Sequence, residues 1–137
     1  MGRKSPLYRG NSDDVAGRPE PKADTNLVRH VLYLGGLGRA TPYLSLTTDR
    51  EEAAIFGTLW ETDATDLLAS GAKHLPIDAL LAALQNNKGR ARWRSTKDRQ
   101  RAFKYAEQHR EELADYGPFP DASRALGAVK SAFKRSP

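Results

Sequence analysis

Side chains that bind phosphate and sugar groups occur at two places in the first third of the sequence. Arg9 stands directly before Gly10, so its guanidinium could face a cleft while the backbone turns away. The guanidinium is a planar fork of donors that suits a phosphate or a ribose-linked diphosphate. Ser45 and Thr47 are two residues apart, so on a strand their hydroxyls would share one face. Such hydroxyls could position a carboxylate or bind a polar ligand.

A pair of carboxylates, Glu111 and Glu112, comes late in the sequence. A carboxylate beside a sugar can accept a hydrogen bond from a ribose hydroxyl and stabilise positive charge that develops on the ring. At least one of the two can face the same side as Ser45 if their strands are neighbours. Each of these features also has an ordinary structural interpretation when it is considered by itself. The arginine could lie on the surface, the hydroxyls could belong to a threonine-rich strand, and the glutamate pair could be solvated.

Strands are predicted where bulky residues alternate with hydroxyl-bearing ones or lead into turn residues. The predicted strands are 7–9, which ends at the Gly10 turn, then 42–48, 58–62 and 113–116, which ends at Gly117-Pro118. On the second strand Tyr43 would share a face with Ser45 and Thr47. The chemistry-bearing residues are therefore expected at or beside strands.

Helices are predicted from apolar residues at helical spacing together with capping residues and terminal glycines. They are a helix capped by Asp24 or Thr25 that stops at Gly35, a short helix after the capping residues Thr48 and Asp49 that stops at Gly57, a short helical or turn segment near 66–68, a helix from Ile77 to about Leu84, and a longer helix from about Thr96 to His109. The tail from Asp121 is basic and helix-prone. Mixed helices and strands indicate an α+β fold.

The length of 137 residues predicts one domain over 1–137, with a core of about 5–120 and a basic tail of 121–137. The chain has no cysteine, which excludes disulfides, thiolate zinc sites and cysteine nucleophiles. Its three histidines match no metal motif, so no metal is expected. No stretch is apolar enough to cross a bilayer, and a soluble, cytoplasmic protein without a membrane partner is expected.

The net charge of +5 is concentrated in residues 88–104. Such a segment attracts nucleic acid, an acidic protein or a phosphate-bearing cofactor. One interpretation is therefore a nucleic-acid-binding module in which Arg92, Arg94 and Lys97 grip phosphates. Aromatic residues interleaved with the cations, Trp93 among them, would then stack on bases.

The order of these features resembles the Arg-Ser-Glu pattern of the ADP-ribosyltransferase superfamily, especially its small bacterial toxin-like members. The resemblance rests on the segments Leu7-Tyr8-Arg9-Gly10, Tyr43-Leu44-Ser45-Leu46-Thr47-Thr48, Ala53-Ala54-Ile55-Phe56-Gly57 and Glu111-Glu112-Leu113, with Phe119-Pro120 behind. It spans most of residues 7 to 120. It implies a split β-sheet core flanked by helices around a cleft for NAD.

The resemblance also implies a role for each matching residue. Arg9 would hold the phosphate and ribose region of NAD, Ser45 would position the catalytic glutamate, and Thr47 would match the last hydroxyl of the family's Ser-Thr-Ser segment. The catalytic residue is predicted to be Glu112, because Leu113 follows it directly and Phe119-Pro120 lies where similar domains often have a hydrophobic-Pro pair; Glu111 is the alternative. Phe56 or Tyr43 would stack on nicotinamide.

The activity implied is that of an NAD-dependent mono-ADP-ribosyltransferase or an NAD glycohydrolase, with NAD as substrate and no metal. The acceptor would be an unidentified macromolecule, either protein or nucleic acid. A toxin-like role would include delivery from another cell and a cognate inhibitor protein as partner. A catalytically inactive relative that serves as an interaction scaffold is a further alternative.

Overall fold

The computed structural model describes residues 5–32 and 40–136. Within them the strands are β1 (Leu7–Gly10), β2 (Tyr43–Thr47), β3 (Leu59–Thr62), β4 (Lys73–Leu75), β5 (Glu111–Asp115) and β6 (Lys134–Arg135). The helices are α1 (Leu27–Val31), α2 (Arg50–Ala54), α3 (Ala64–Ala69), α4 (Ile77–Asn86), α5 (Thr96–Gln108) and α6 (Ala122–Ala132), with a single 3₁₀ turn at Gly89–Ala91. The α+β class predicted from the sequence is confirmed.

The strands form one antiparallel sheet in the order β4-β5-β2-β1-β3-β6. β2 pairs with β5 along five positions, from Tyr43 opposite Asp115 to Thr47 opposite Glu111. β1 pairs with β3 along four positions, but β1 and β2 are joined at a single one, Tyr8 opposite Thr47, in the described strands. The sheet therefore consists of two three-stranded halves that meet at one point.

Helices cover both faces of the sheet, because side chains alternate along β2 and β5. Tyr43 and Leu113 belong to a core with α1, α4 and α5. Leu44 and Ala114, each the next residue along its strand, belong to a second core with α3 and α6. Adjacent residues of β5 thus point into different environments, which decides where each glutamate lies.

Two glycines allow α2 to lie against the end of β1. A side-chain carbon on Gly10 would come within 1.8 Å of the Ala53 carbonyl oxygen, so only glycine fits there. Gly57 ends this segment with a φ of +126°, which favours glycine. The Asp49 carboxylate caps α2 by accepting from the amides of Glu51 and Glu52. Of the predicted capping residues Thr48 and Asp49, Asp49 is the cap, and the helix ends at Ala54, three residues before the predicted stop at Gly57.

The capping residue of α1 lies two positions after Asp24, the first of the two predicted caps. The side chain of Asn26 accepts a hydrogen bond from the amide of Arg29 and caps the helix, in place of Asp24 or Thr25. The predicted stop at Gly35 lies outside the described residues. Strand β5 also begins at Glu111, two residues earlier than predicted, so both glutamates belong to the strand.

The expectation that residues 121–137 form a tail outside the core is wrong. Helix α6 buries Ala125, Ala128 and Val129 in the same core as Leu44 and Ala114. The small residues of α6 recur at helical spacing and form an apolar stripe, which the basic composition of the segment obscured. The core therefore extends nearly to the end of the described chain.

Replacement of Val129 by aspartate tests this placement. We expect Val129→Asp to lower the free energy of unfolding by more than about 3 kcal/mol, because it places an unpaired charge in the core. Arg124→Asp, on the exposed side of the same helix, serves as the control and should change stability by less than about 0.5 kcal/mol. Urea denaturation measures both, and equal effects would contradict a buried α6.

Candidate functional site

A cleft of about 640 Å³ lies where the two halves of the sheet meet. This is within the range of about 300–1,000 Å³ that small-molecule sites occupy. The cleft is lined by β1, β2, α1, α2, α5 and the first residue of β5. It contains Arg9, Ser45, Thr47 and Glu111, which are four of the residues singled out in the sequence.

Arg9 connects the two halves of the sheet. Its Nε donates to the carbonyl oxygen of Ala16 at 2.5 Å, and its Nη1 donates to the carbonyl oxygen of Ser45 at 3.2 Å. The first acceptor lies in the loop after β1 and the second on β2. The guanidinium is therefore held in a fixed orientation at the cleft, which favours binding of an anionic ligand.

Ser45 and Glu111 form the central polar contact of the cleft. Ser45 Oγ donates to Glu111 Oε2 at 2.9 Å. The carboxylate is buried, with the residue only 4% exposed. Burial raises the pKa of Glu111 to about 7, while the Ser45 hydrogen bond and the positive charge of Arg9 oppose the shift. A carboxyl group with such a pKa changes its charge near neutral pH.

His30 joins this contact, although sequence reasoning gave it no role. Its Nε2 lies 2.8 Å from Ser45 Oγ, and its Nδ1 lies 3.0 Å from Thr41 Oγ1. Burial first, and then the charge of Arg9, lower the pKa of His30 to about 3, so the imidazole is neutral. The position of His30 in the sequence could have indicated this role, because it lies three residues after Leu27 and so on the buried side of the predicted helix.

The structure corrects the preference for Glu112. The side chain of Glu112 lies on the opposite face of the sheet, where its Oε1 is 2.7 Å from His74 Nε2. Glu112 does not line the cleft, whereas Glu111 does. The alternation of side chains along β5 separates the two carboxylates. Of the two predicted candidates, Glu111 is the one that lies with Arg9 and Ser45.

Thr47 and Tyr43 support the cleft from within the fold. Thr47 Oγ1 donates to the carbonyl oxygen of His109 at 2.9 Å and accepts from the amide of Asp49 at 3.0 Å. Tyr43 is 1% exposed and its hydroxyl donates to the carbonyl oxygen of Thr25. Tyr43 is among the residues that line the cleft, but its ring is packed in the core, so almost none of it is exposed for stacking on a ligand.

Phe56 lies at the cleft with an exposed ring. The residue is 54% exposed, lines the cleft and lies two residues after the end of α2. A ring that is open to solvent beside a polar cleft can cover a flat heterocycle. Of the two aromatic residues predicted to stack on a ligand, Phe56 is the one with an exposed side chain at the cleft.

An acid–base pair occupies another part of the cleft wall. His109 Nδ1 is bonded to Glu52 Oε1, and the His109 ring lies 4.2 Å from that of Tyr105. The pair joins α2 to the end of α5 across the cleft. The cleft lining thus contains a second carboxylate, that of Glu52, in addition to Glu111.

The cations proposed for nucleic-acid binding lie outside the cleft. Arg92, Arg94 and Lys97 are all exposed. Trp93 between them is half-buried, because its Nε1 donates to Asp98 Oδ2 at 3.0 Å and the Arg29 guanidinium lies 5.2 Å from its ring centre. The tryptophan thus anchors the loop to α1 and α5, and its ring is not an open stacking surface.

A scan against protein-family models, a search of curated proteins and a search of solved structures gave no match. Within residues 5–32 and 40–136, no three histidine, aspartate or glutamate side chains are grouped so as to hold a metal ion. No helix in that part of the chain is long and apolar enough to span a membrane. The function is therefore inferred from the geometry of the cleft.

The raised pKa of Glu111 predicts a specific dependence of stability on pH. Between pH 4.5 and about 7 the folded chain keeps the Glu111 proton while the unfolded chain releases it. This contribution to stability is complete below pH 4.5 and is lost as the pH rises through 7. We expect Glu111→Gln to be more stable than the natural chain at pH 8, by up to about 3 kcal/mol.

Thermal and urea unfolding at pH 4 to 8 would measure this difference, which should shrink toward pH 4. Glu112→Gln is the control, because it makes the same chemical change one residue away on the other face. A gain in stability that is equal at pH 4 and pH 8 would contradict a proton held by burial.

Proposed function

We propose that the chain cleaves NAD at the bond between nicotinamide and ribose, as an ADP-ribosyltransferase or an NAD glycohydrolase. The proposal is carried by one observation. A guanidinium, a strand hydroxyl and a buried carboxylate, from Arg9, Ser45 and Glu111, line one cleft although they are distant in the sequence. This is the set of groups that the resemblance to the Arg-Ser-Glu family requires.

The architecture around the cleft supports the same proposal. The resemblance implies a split sheet, and the two three-stranded halves here meet at Tyr8 and Thr47 alone in the described strands. The cleft lies at that meeting point. Arg9 is bonded to the Ser45 carbonyl across it. The volume of about 640 Å³ leaves room for a ligand larger than a single sugar ring.

The chemistry would proceed by dissociative cleavage. The nicotinamide–ribose bond breaks with its electron pair going to nicotinamide, which leaves neutral, while positive charge develops on the ribose ring. Ionised Glu111 stabilises that charge and accepts a hydrogen bond from a ribose hydroxyl. Ser45 holds the carboxylate in place, and Arg9 binds the diphosphate. The acceptor oxygen or nitrogen then bonds to the ribose carbon and loses a proton.

Three arginines line the cleft and supply positive charge for the diphosphate. They are Arg9, Arg18 and Arg29. Arg18 is held by Asp13 and Asp14 at 2.8 and 3.0 Å, so its position is fixed at the rim. Two phosphates carry two negative charges, and this concentration of guanidinium groups is suited to them.

By the same resemblance we infer a toxin-like role in the cytoplasm of a target cell, with a macromolecular acceptor and a cognate inhibitor protein. An inhibitor of this kind would cover the cleft. Water as the acceptor would make the chain an NAD glycohydrolase. Detection of free ADP-ribose or of a modified macromolecule in a cell lysate separates these two outcomes.

Substitution of the cleft residues tests the activity. We expect Glu111→Gln to lower the rate of nicotinamide release from NAD by about 100-fold or more, because the charge that stabilises the ribose cation is removed. Arg9→Lys should lower kcat/KM by about 10-fold or more, because lysine lacks the planar fork. Chromatography of the released nicotinamide measures both.

Two variants serve as matched controls. Glu112→Gln repeats the change on the opposite face of the sheet, and Arg92→Ala removes a cation outside the cleft. Both should keep activity within about 3-fold of the natural chain, provided that their melting temperatures are unchanged. Full turnover in Glu111→Gln would overturn the assignment of the site.

The pH dependence of the reaction gives an independent test. Ionised Glu111 is the active form, and its pKa in the free protein is about 7. We therefore expect kcat/KM to rise with pH through a midpoint near 7 and to level off above it, since kcat/KM reports the free enzyme. A profile that is flat from pH 5 to 8 would contradict a buried carboxylate as the essential group.

The exposure of Arg92, Arg94 and Lys97 keeps nucleic-acid binding as a second candidate function. That function predicts binding that weakens steeply with salt and falls when Arg92 and Arg94 become alanine. It also predicts no dependence on Glu111. Fluorescence anisotropy with a labelled single-stranded oligonucleotide distinguishes it from the NAD-cleaving activity.

A further inference from the structure

The Ser45–Glu111 contact is the end of a longer chain of hydrogen bonds. Thr41 Oγ1 lies 3.0 Å from His30 Nδ1, His30 Nε2 lies 2.8 Å from Ser45 Oγ, and Ser45 Oγ lies 2.9 Å from Glu111 Oε2. We call this set of four side chains the relay. It runs from the segment before β2, through α1, to the first residue of β5.

We propose that His30 is a positioning residue, which directs the Ser45 hydroxyl toward Glu111 and so holds the carboxylate ready for reaction. The catalytic part of this inference rests on the proposed function. The structural part, namely that the direction of the relay is coupled to the charge of Glu111, can be tested without NAD.

The direction of the relay follows from the number of protons each group carries. A serine hydroxyl has one proton, and an ionised carboxylate can only accept, so Ser45 donates to Glu111. Ser45 Oγ must then accept from His30, which requires the proton on Nε2. Nδ1 is left as an acceptor for the Thr41 hydroxyl. Thr41 Oγ1 in turn accepts from the amide of Tyr43 at 3.2 Å.

The relay has a second self-consistent arrangement, in which every proton points the opposite way. It forms when Glu111 is protonated on Oε2, the oxygen that faces Ser45: this O–H donates to Ser45 Oγ, and the Ser45 hydroxyl donates to His30 Nε2. His30 then carries its proton on Nδ1 and donates to Thr41 Oγ1. The tautomer of His30 is thus tied to the charge of Glu111, through Ser45.

A neutral His30 is required in both arrangements, and its surroundings keep it neutral. Burial and the positive charge of Arg9 both disfavour an imidazolium and lower its pKa. The other titratable or charged groups that line the cleft come from every element around it: Tyr8 on β1, Asp13 and Arg18 in the loop after β1, Arg29 on α1, Tyr43 on β2, Glu52 on α2, Tyr105 on α5 and His109 at its end. Glu52 and His109 are bonded to each other rather than to the relay.

Nitrogen NMR of the natural chain without ligand tests the coupling directly, because the two imidazole tautomers have distinct ¹⁵N shifts. We expect His30 to be the Nε2–H tautomer above the Glu111 midpoint near pH 7 and the Nδ1–H tautomer below it. The carboxyl ¹³C shift of Glu111, assigned by comparison with Glu111→Gln, should follow the same midpoint. Ser45→Ala should abolish the tautomer switch.

Two substitutions of His30 test its effect on the reaction. A glutamine side chain keeps an N–H donor that can reach Ser45, whereas leucine keeps volume and removes the donor. We expect His30→Leu to lower kcat by about 10-fold or more with KM changed by less than about 3-fold, and to move the acid limb of kcat/KM to higher pH. His30→Gln should restore most of kcat and return the limb toward its natural position.

The outcomes separate the two proposals. A His30 tautomer that does not change while Glu111 titrates would overturn the relay, whatever the kinetics show. If the leucine and glutamine variants lost kcat equally, and the acid limb of the kcat/KM profile did not move, His30 would be a packing residue and not a positioning residue. If the natural chain releases no nicotinamide, the proposed function fails, and the relay is judged by the NMR titration alone.

Discussion

The register between β2 and β5 is the constraint on which the site depends. It places Thr47 opposite Glu111 and Ser45 opposite Leu113, so that the Ser45 hydroxyl can reach the Glu111 carboxylate on the same face. A slip of one residue would turn Glu112 toward the cleft and Glu111 toward the second core. Both faces of this strand pair are buried, so a slipped register would also move apolar side chains away from their partners. Packing thus fixes which carboxylate is available for chemistry.

The buried carboxylate is costly to the fold, and the surroundings offset this cost only in part. Its pKa is raised to about 7 even though Ser45 donates to it and Arg9 lies nearby. A group that is held out of water has the strongest electrostatic effect on a ligand, because water does not screen it. Ionised Glu111 therefore lowers the stability of the fold, as the proposed function would require, whereas Glu112 is paired with His74 on the opposite face.

The sequence predicts most of the elements, but the side-chain detail of the site depends on geometry that it does not contain. Alternating residues identify β2, and capping residues identify α2. The choice between Glu111 and Glu112 needs the residue at which β5 begins, and element boundaries are the least certain part of such predictions. His30 has the periodicity of a core residue, so its polar role becomes visible only once Ser45 lies beside it. The segment of α6 is predicted to be helix-prone, but its burial is not evident from the sequence, because the segment is basic and its buried residues are mostly alanines.

Arg9 shows how the split of the sheet and the chemistry of the cleft arise from the same residue. Where β1 and β2 separate, the carbonyl oxygen of Ser45 accepts a hydrogen bond from Arg9 Nη1. A side chain thus supplies a donor beside the pairing of Tyr8 with Thr47, which is the one position that joins β1 to β2 in the described part of the chain. The same guanidinium bonds the loop after β1 through Nε. Because these bonds use a rigid, permanently charged fork, Arg9 brings a fixed positive charge into the cleft while it closes the gap between the strands. A lysine could supply the charge but could not satisfy both carbonyls in this geometry. The two halves of the sheet can therefore diverge enough to form a cleft and still be tied together at its base.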